Sequence, residues 1–127
     1  MSSDIKNEKV LVDADEFAAA EKEAVDSEFT YIHKFKKPLE YQGKTYKELT
    51  FEWGDLTGKD GLSIENELQQ IGKAVIVPTF SGEYLIRLAA RACTAPLGAD
   101  AFENMPISDY NKIRSAARSF LLKSELS

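Results

Sequence analysis

The sequence of 127 residues predicts an α+β fold: a two-stranded antiparallel β-hairpin, then three α-helices, behind an acidic flexible N-terminal arm. Three observations carry that reading. Between Phe29 and Trp53 the large apolar residues recur every second position, and seven of the chain's thirteen aromatics fall there. Beyond Trp53 the apolar period changes to that of a helix. The charge is also uneven: residues 1–28 hold nine Asp or Glu against three Lys, so that of a net −5 the remainder carries about +1. The division expected is an acidic arm over residues 1–28 and a single domain over residues 29–127.

The first strand is predicted over residues 29–37. Phe29, Tyr31, His33 and Phe35 alternate with Thr30, Ile32, Lys34 and Lys36, which puts one face in a core. Pro38 has no N–H for a ladder and is expected to end the strand. Gln42-Gly43-Lys44 supplies a turn, and a second strand over residues 45–53 returns with Leu49, Phe51 and Trp53 on its apolar side. Two strands alone are marginal, so helices must cover the aromatic face.

A first helix follows the turn Thr57-Gly58-Lys59, with Asp60 as N-cap, a stripe of Ile64, Leu68 and Ile71, and Gly72 as its end. Ala74-Val75-Ile76-Val77 is either a third strand or a buried connection. Ser81 caps a second helix over residues 82–94. There Tyr84, Leu85, Leu88, Ala89 and Ala92 share one broad face, Ile86, Ala90 and Cys93 lie on another, and only the Arg87/Arg91 side is polar. A helix so apolar is either central or bound on two sides. Ala95-Pro96-Leu97-Gly98 breaks it. Ser108 then caps a last helix ending near Lys123, striped by Tyr110, Ile113, Ala117, Phe120 and Leu121 and flanked by Arg114 and Arg118.

Chemistry is harder to find. His33 is the sole histidine and Cys93 the sole cysteine, so neither a two-histidine metal site nor an internal disulfide can be assembled. His33 reads as a packed residue, and Cys93, among alanines, as a small core residue. Gly54 to Lys59 lacks the spacing and the Ser/Thr of a phosphate loop, and Asp55, Asp60, Glu65 and Glu67 do not follow a calcium-loop pattern. A near-neutral body gives nucleic acid little to bind to, and no run approaches the ~18 apolar residues of a membrane span. No enzyme and no cofactor is expected. The partner-binding candidates are the second face of the central helix, Ile86, Ala90 and Cys93, and the arginines Arg114 and Arg118.

A family resemblance sharpens this. The stretch Lys37-Pro38-Leu39-Glu40-Tyr41-Gln42-Gly43-Lys44-Thr45-Tyr46-Lys47-Glu48-Leu49, then Leu56-Thr57-Gly58-Lys59-Asp60, resembles the opening of tail assembly chaperones of contractile-tailed phages and prophages. Tyr84-Leu85 with Arg87-Leu88-Ala89-Ala90-Arg91-Ala92 resembles their alanine-rich central helix. Met105-Pro106, Asp109-Tyr110-Asn111 and Phe120-Leu121 resemble their final one. The resemblance implies a protein of the host bacterial cytoplasm, absent from the mature virion, that binds the tape-measure protein and keeps it soluble. It also implies help in recruiting the tail-tube protein, through a longer frameshifted product of which this chain would be the short form. Self-association is open. The competing readings are a structural tail or baseplate component and, further off, a small-ligand protein or enzyme.

Overall fold

The computed structural model describes residues 29–126; the N-terminal arm predicted over residues 1–28 lies outside them. Strand β1 (Thr30–Tyr41) pairs antiparallel with β2 (Lys44–Glu52). Between them Gln42 and Gly43 both have positive φ, +50° and +80°. That is the backbone of a two-residue hairpin turn whose twist matches the strands, and glycine suits its second position.

Pro38 does not end β1 as predicted. The strand runs on to Tyr41, and the pairing slips instead: Lys34 faces Glu48, but the next pair is Leu39 with Tyr46. Residues 35–38 oppose Lys47 alone, so the missing proline N–H falls in an irregularity where no ladder bond is required. Trp53, predicted as the last residue of the second strand, opens a 3-10 turn, Trp53–Asp55, with its indole buried.

Helix α1 (Gly58–Gln70) is capped by Thr57, one turn earlier than predicted. Asp60 is the third helical residue, and its carboxylate accepts the backbone N–H of Thr57 at 2.8 Å, half of a capping box. Gly72 ends the helix at φ +77°, with the Lys73 N–H donating to the Leu68 carbonyl at 2.8 Å, as in a Schellman motif. Ile64 and Leu68 are buried, but Ile71, at the C-cap, is exposed.

Residues 74–77 form neither a third strand nor a buried connection. They are an irregular surface segment in which Ile76 is 92% exposed. The position a third strand would take beside β2 is held by the end of the central helix: Cys93 bridges Phe51, and the Thr94 N–H donates to the Thr50 carbonyl at 2.9 Å. For the same reason helix α2 (Gly82–Ala92) stops short of Thr94; Cys93 has turned to extended backbone. Ser81 Oγ accepts the Tyr84 N–H, as its predicted N-cap role requires.

A short helix, α3 (Ala99–Glu103), was not predicted; it buries Ala101 and Phe102. Helix α4 (Ile107–Leu126) is the longest element and runs three residues past its predicted end at Lys123. Pro106, rather than Ser108, receives its first N–H groups, those of Asp109 and Tyr110.

The core has two parts. Phe51 stacks between Trp53 (5.4 Å) and Tyr31 (6.0 Å), while Phe102, Leu85, Ile113 and Ala117 close over the aromatic face of the sheet. Ile64, Leu68, Tyr84 and Leu88 fasten α1 to α2. Helix α2 belongs to both clusters, so it is the central element, and Tyr84, Leu85, Ile86, Leu88, Ala89 and Ala92 are all buried.

Candidate partner-binding surface

His33 is 2% exposed and sits in a chain of polar contacts. Its Nδ1 is 2.8 Å from the Tyr31 hydroxyl and its Nε2 2.8 Å from Asp109 Oδ1. A carboxylate only accepts, so the Nε2 proton points at Asp109. This contact ties β1 to the first turn of α4. Burial pushes the Tyr31 phenol up, with the Asp109 charge adding to it, so the hydroxyl stays protonated. Cys93 is half-buried, and burial likewise raises its thiol, which disfavours the thiolate a nucleophile needs. No group of three or more His, Cys, Asp or Glu that could hold a metal occurs among the described residues, and no described helix is long and apolar enough to cross a membrane.

The sequence candidates separate into two places. Ala90 is half-buried on α2, and Cys93 lies at the sheet edge against Phe51. Ile86 and Arg114 line one groove elsewhere, where the start of α2 meets α4, and Arg118 lies one turn further along α4, against Thr79. Ile86 keeps 3% exposure and is covered by the domain's own residues, so a partner reaches it only from the groove above it. That groove has a volume of about 510 Å³; Ile86, Phe102 and Met105 give it an apolar floor, Tyr110, Glu83, Glu103 and Arg114 are its polar side chains, and Ile107, also lining it, is 70% exposed.

Gly82 makes the closeness of the two helices possible. A Cβ there would lie 2.8 Å from Tyr110 Oη and 3.8 Å from Arg114 Cζ, inside the contact limit for the hydroxyl. One turn further along α4, Arg118 Nε donates to the Thr79 carbonyl at 3.0 Å and so fixes the 3-10 turn Pro78–Phe80. That turn presents Phe80, 74% exposed, just before Gly82, and Ile76 precedes it. Ile76, Phe80 and Ile107 are thus large apolar side chains left in water, Ile107 on the lining of the groove and Phe80 on the turn that Arg118 holds. A monomer gains nothing by leaving side chains of that size in water.

The two arginine pairs of the sequence have different surroundings. Arg87 bonds Glu83 at 2.6 Å and Glu67 at 3.3 Å, and Arg91 bonds Asp60 at 3.0 Å. Hydrogen bonds from Lys73 and then Arg87 hold the Glu83 carboxyl below its usual range. Arg114 and Arg118 have no carboxylate partner among the described residues, and Arg114 Nε is buried without a hydrogen bond. Sequence spacing found both pairs; nothing in it distinguished the pair tied to carboxylates from the pair with none among the described residues. Phe80, Ile76 and Ile107 were missed as candidates because isolated apolar residues beside a proline read as connection or core.

No curated protein and no solved structure matches the chain. One family does, that of phage tail assembly chaperone proteins, E, or 41 or 14, over residues 32–122, which spans the hairpin, the central helix and most of α4. With well over half of its length matched, the chain belongs to the phage tail assembly chaperone family.

Proposed function

We propose that this chaperone binds the tape-measure protein of its phage or prophage, keeps it soluble while the tail tube is built around it, and helps bring tail-tube subunits to it. It acts without catalysis and without a cofactor, in the host cytoplasm, and leaves before the particle is complete. A longer frameshifted product and self-association belong to the same proposal as routes to the tube subunit.

The observation that supports this reading best is the groove between α2 and α4, with Ile86, Phe102 and Met105 as its apolar floor and Ile107 exposed beside them. A tape measure is a long helical chain whose apolar stripes are bare until the tube encloses it. A shallow apolar groove that accepts one helix face after another is what such a client requires. The test is co-expression of the tagged full chain with the tape-measure protein of the same genome, with and without the chaperone. A soluble complex in the first case and aggregated tape measure in the second is the expected outcome, with the chaperone missing from purified particles. Its presence at fixed stoichiometry in finished tails would establish a structural component instead.

A further inference from the structure

We infer that residues 10–15 of the acidic arm dock as a third strand on the open edge of β1, parallel to it, with Asp13 beside Lys34 and Asp15 beside Lys36.

The two edges of the sheet differ. That of β2 is closed by Cys93 and the Thr94 N–H. Among the described residues no backbone group of β1 bonds to anything but β2, so the outer edge of a 12-residue strand stands open. An edge of that length pairs readily with another chain unless something covers it. Room for a cover exists. Helix α4 packs on β1, tied to it by His33 and Asp109. Where Tyr31 meets α4 there is a shallow groove of about 420 Å³, lined on the helix by Asn111, Lys112, Ser115, Ala116 and Ser119. The last three are short enough to admit a further element over them, and the one charge on the lining is positive.

The arm holds one segment with the pattern of such a strand. Val10-Leu11-Val12 is its only run of three large aliphatic residues, and strand-like alternation continues through Asp15. Val10, Val12 and Ala14 fall on one face, Leu11, Asp13 and Asp15 on the other. On β1, Tyr31, His33 and Phe35 turn to the core, while Ile32, Lys34 and Lys36 are exposed. A parallel register with Asp13 beside Lys34 brings Asp15 to Lys36 and Leu11 to Ile32, which is 51% exposed. It also lays Val10, Val12 and Ala14 over the groove at Tyr31. The antiparallel alternative sets Asp15 against Ile32 and Leu11 against Lys36. A second copy of β1 fits the edge poorly, since Lys34, Lys36 and Lys37 would face their own kind.

The length of the chain suits this path. Six extended residues cover about 20 Å, and a parallel neighbour needs a connection of a dozen residues or more, usually helical. Residues 16–29 are rich in Ala and Glu, and a helix of that length spans about 20 Å. Phe29, the residue before β1, has helical backbone and packs edge-on against Phe120 at 6.2 Å. The arm thereby guards the open edge of the sheet from the strands of other chains.

Hydrogen exchange of the full chain is the test. Amides of residues 11–15 should exchange at least about tenfold more slowly than in an unstructured peptide of the same sequence. Val12→Asp, which sets a carboxylate over the groove, should abolish that protection. Cysteine pairs read the register independently. Asp13→Cys with Lys34→Cys should close an intrachain disulfide in severalfold higher yield than Asp15→Cys with Ile32→Cys; Cys93 lies at the far edge of the sheet, against Phe51. Unprotected amides over residues 11–15, or protection that survives Val12→Asp, would overturn the inference. So would a disulfide formed only between two chains, which makes the occupant a second copy's arm, or the higher yield falling to the other pair. None of these outcomes involves the tape-measure protein, so the function proposed above stands or falls separately.

Discussion

Helices α2 and α4 each carry two arginines four residues apart, Arg87/Arg91 and Arg114/Arg118, yet the pairs do different work. The α2 pair is met by Glu67, Glu83 and Asp60 and fastens α1 and the chain around Lys73 to the central helix. The α4 pair faces the start of α2 and has no carboxylate among the described residues. The same residues at the same spacing thus form ion pairs in one place and, among the described residues, none in the other. The difference lies in the acids within reach: α1 brings its carboxylates to α2, whereas the acid nearest the start of α4 is taken up by a buried histidine.

The contrast can be broken at several points. Ile86→Asp has the largest expected effect. A carboxylate placed at a site with 3% exposure costs on the order of 4 kcal/mol or more, and urea titration should show a largely unfolded chain. A folded Ile86→Asp variant would mean that α2 is not the central element. His33→Ala should follow, at about 2–3 kcal/mol, because Asp109 and Tyr31 lose their shared partner in a buried setting. It frees Asp109 and loosens the start of α4, so tape-measure binding should weaken as well; unchanged thermal stability would exclude the histidine as a fastener.

Gly82→Ala sharpens the comparison from the other side. The new methyl group would crowd Tyr110 Oη at 2.8 Å, and relief by moving the flexible phenol limits the loss of stability to about 1 kcal/mol. Because that phenol lines the groove, affinity for the client should fall further than stability does. The smallest effect concerns acid. Asp60 is held below its usual range mainly by the Thr57 N–H, and Glu83 by Lys73 and Arg87. Their stabilisation is present at neutral pH and begins to fade as pH falls below the ordinary carboxylate values of about 4, lost only through the lower folded values. Both side chains are partly solvated, so the melting point should decline modestly there, and Asp60→Asn should flatten the decline.

How far the sequence disclosed this arrangement depended on the strength of each local signal. The hairpin was legible because alternation over Leu49, Phe51 and Trp53 and the Gln42-Gly43 turn specify the same register. Pro38 misled, since a proline can be absorbed by a slip in pairing as well as end a strand. Asp60 and Thr57 are both good caps, and the geometry chose the residue whose partner sits three positions on. The segment 74–77 has the composition of a strand, but Cys93 and Thr94 already occupy the edge it would join. A five-residue helix such as α3 is too short to show a period, although Phe102 marks it as core. Of the surface candidates, Ile86 and Arg114 meet at one groove, while Arg118 turns to Thr79 and Ala90 and Cys93 lie apart. That separation depends on how α4 crosses α2, which no spacing within either helix encodes.

We propose that the α2 arginines hold the fold and that the groove beside Arg114 holds the client. This division is tested most directly by measuring thermal midpoint and tape-measure affinity side by side for Arg87→Gln and Arg114→Gln in the full chain. Arg87→Gln should lower the midpoint by a few degrees, the scale of about 1 kcal/mol, and leave affinity unchanged. Arg114→Gln should leave the midpoint unchanged or raised, since an unpaired buried donor is removed, and weaken binding at least about tenfold. Loss of stability without loss of affinity in Arg114→Gln, or the reverse pattern in Arg87→Gln, would contradict the account.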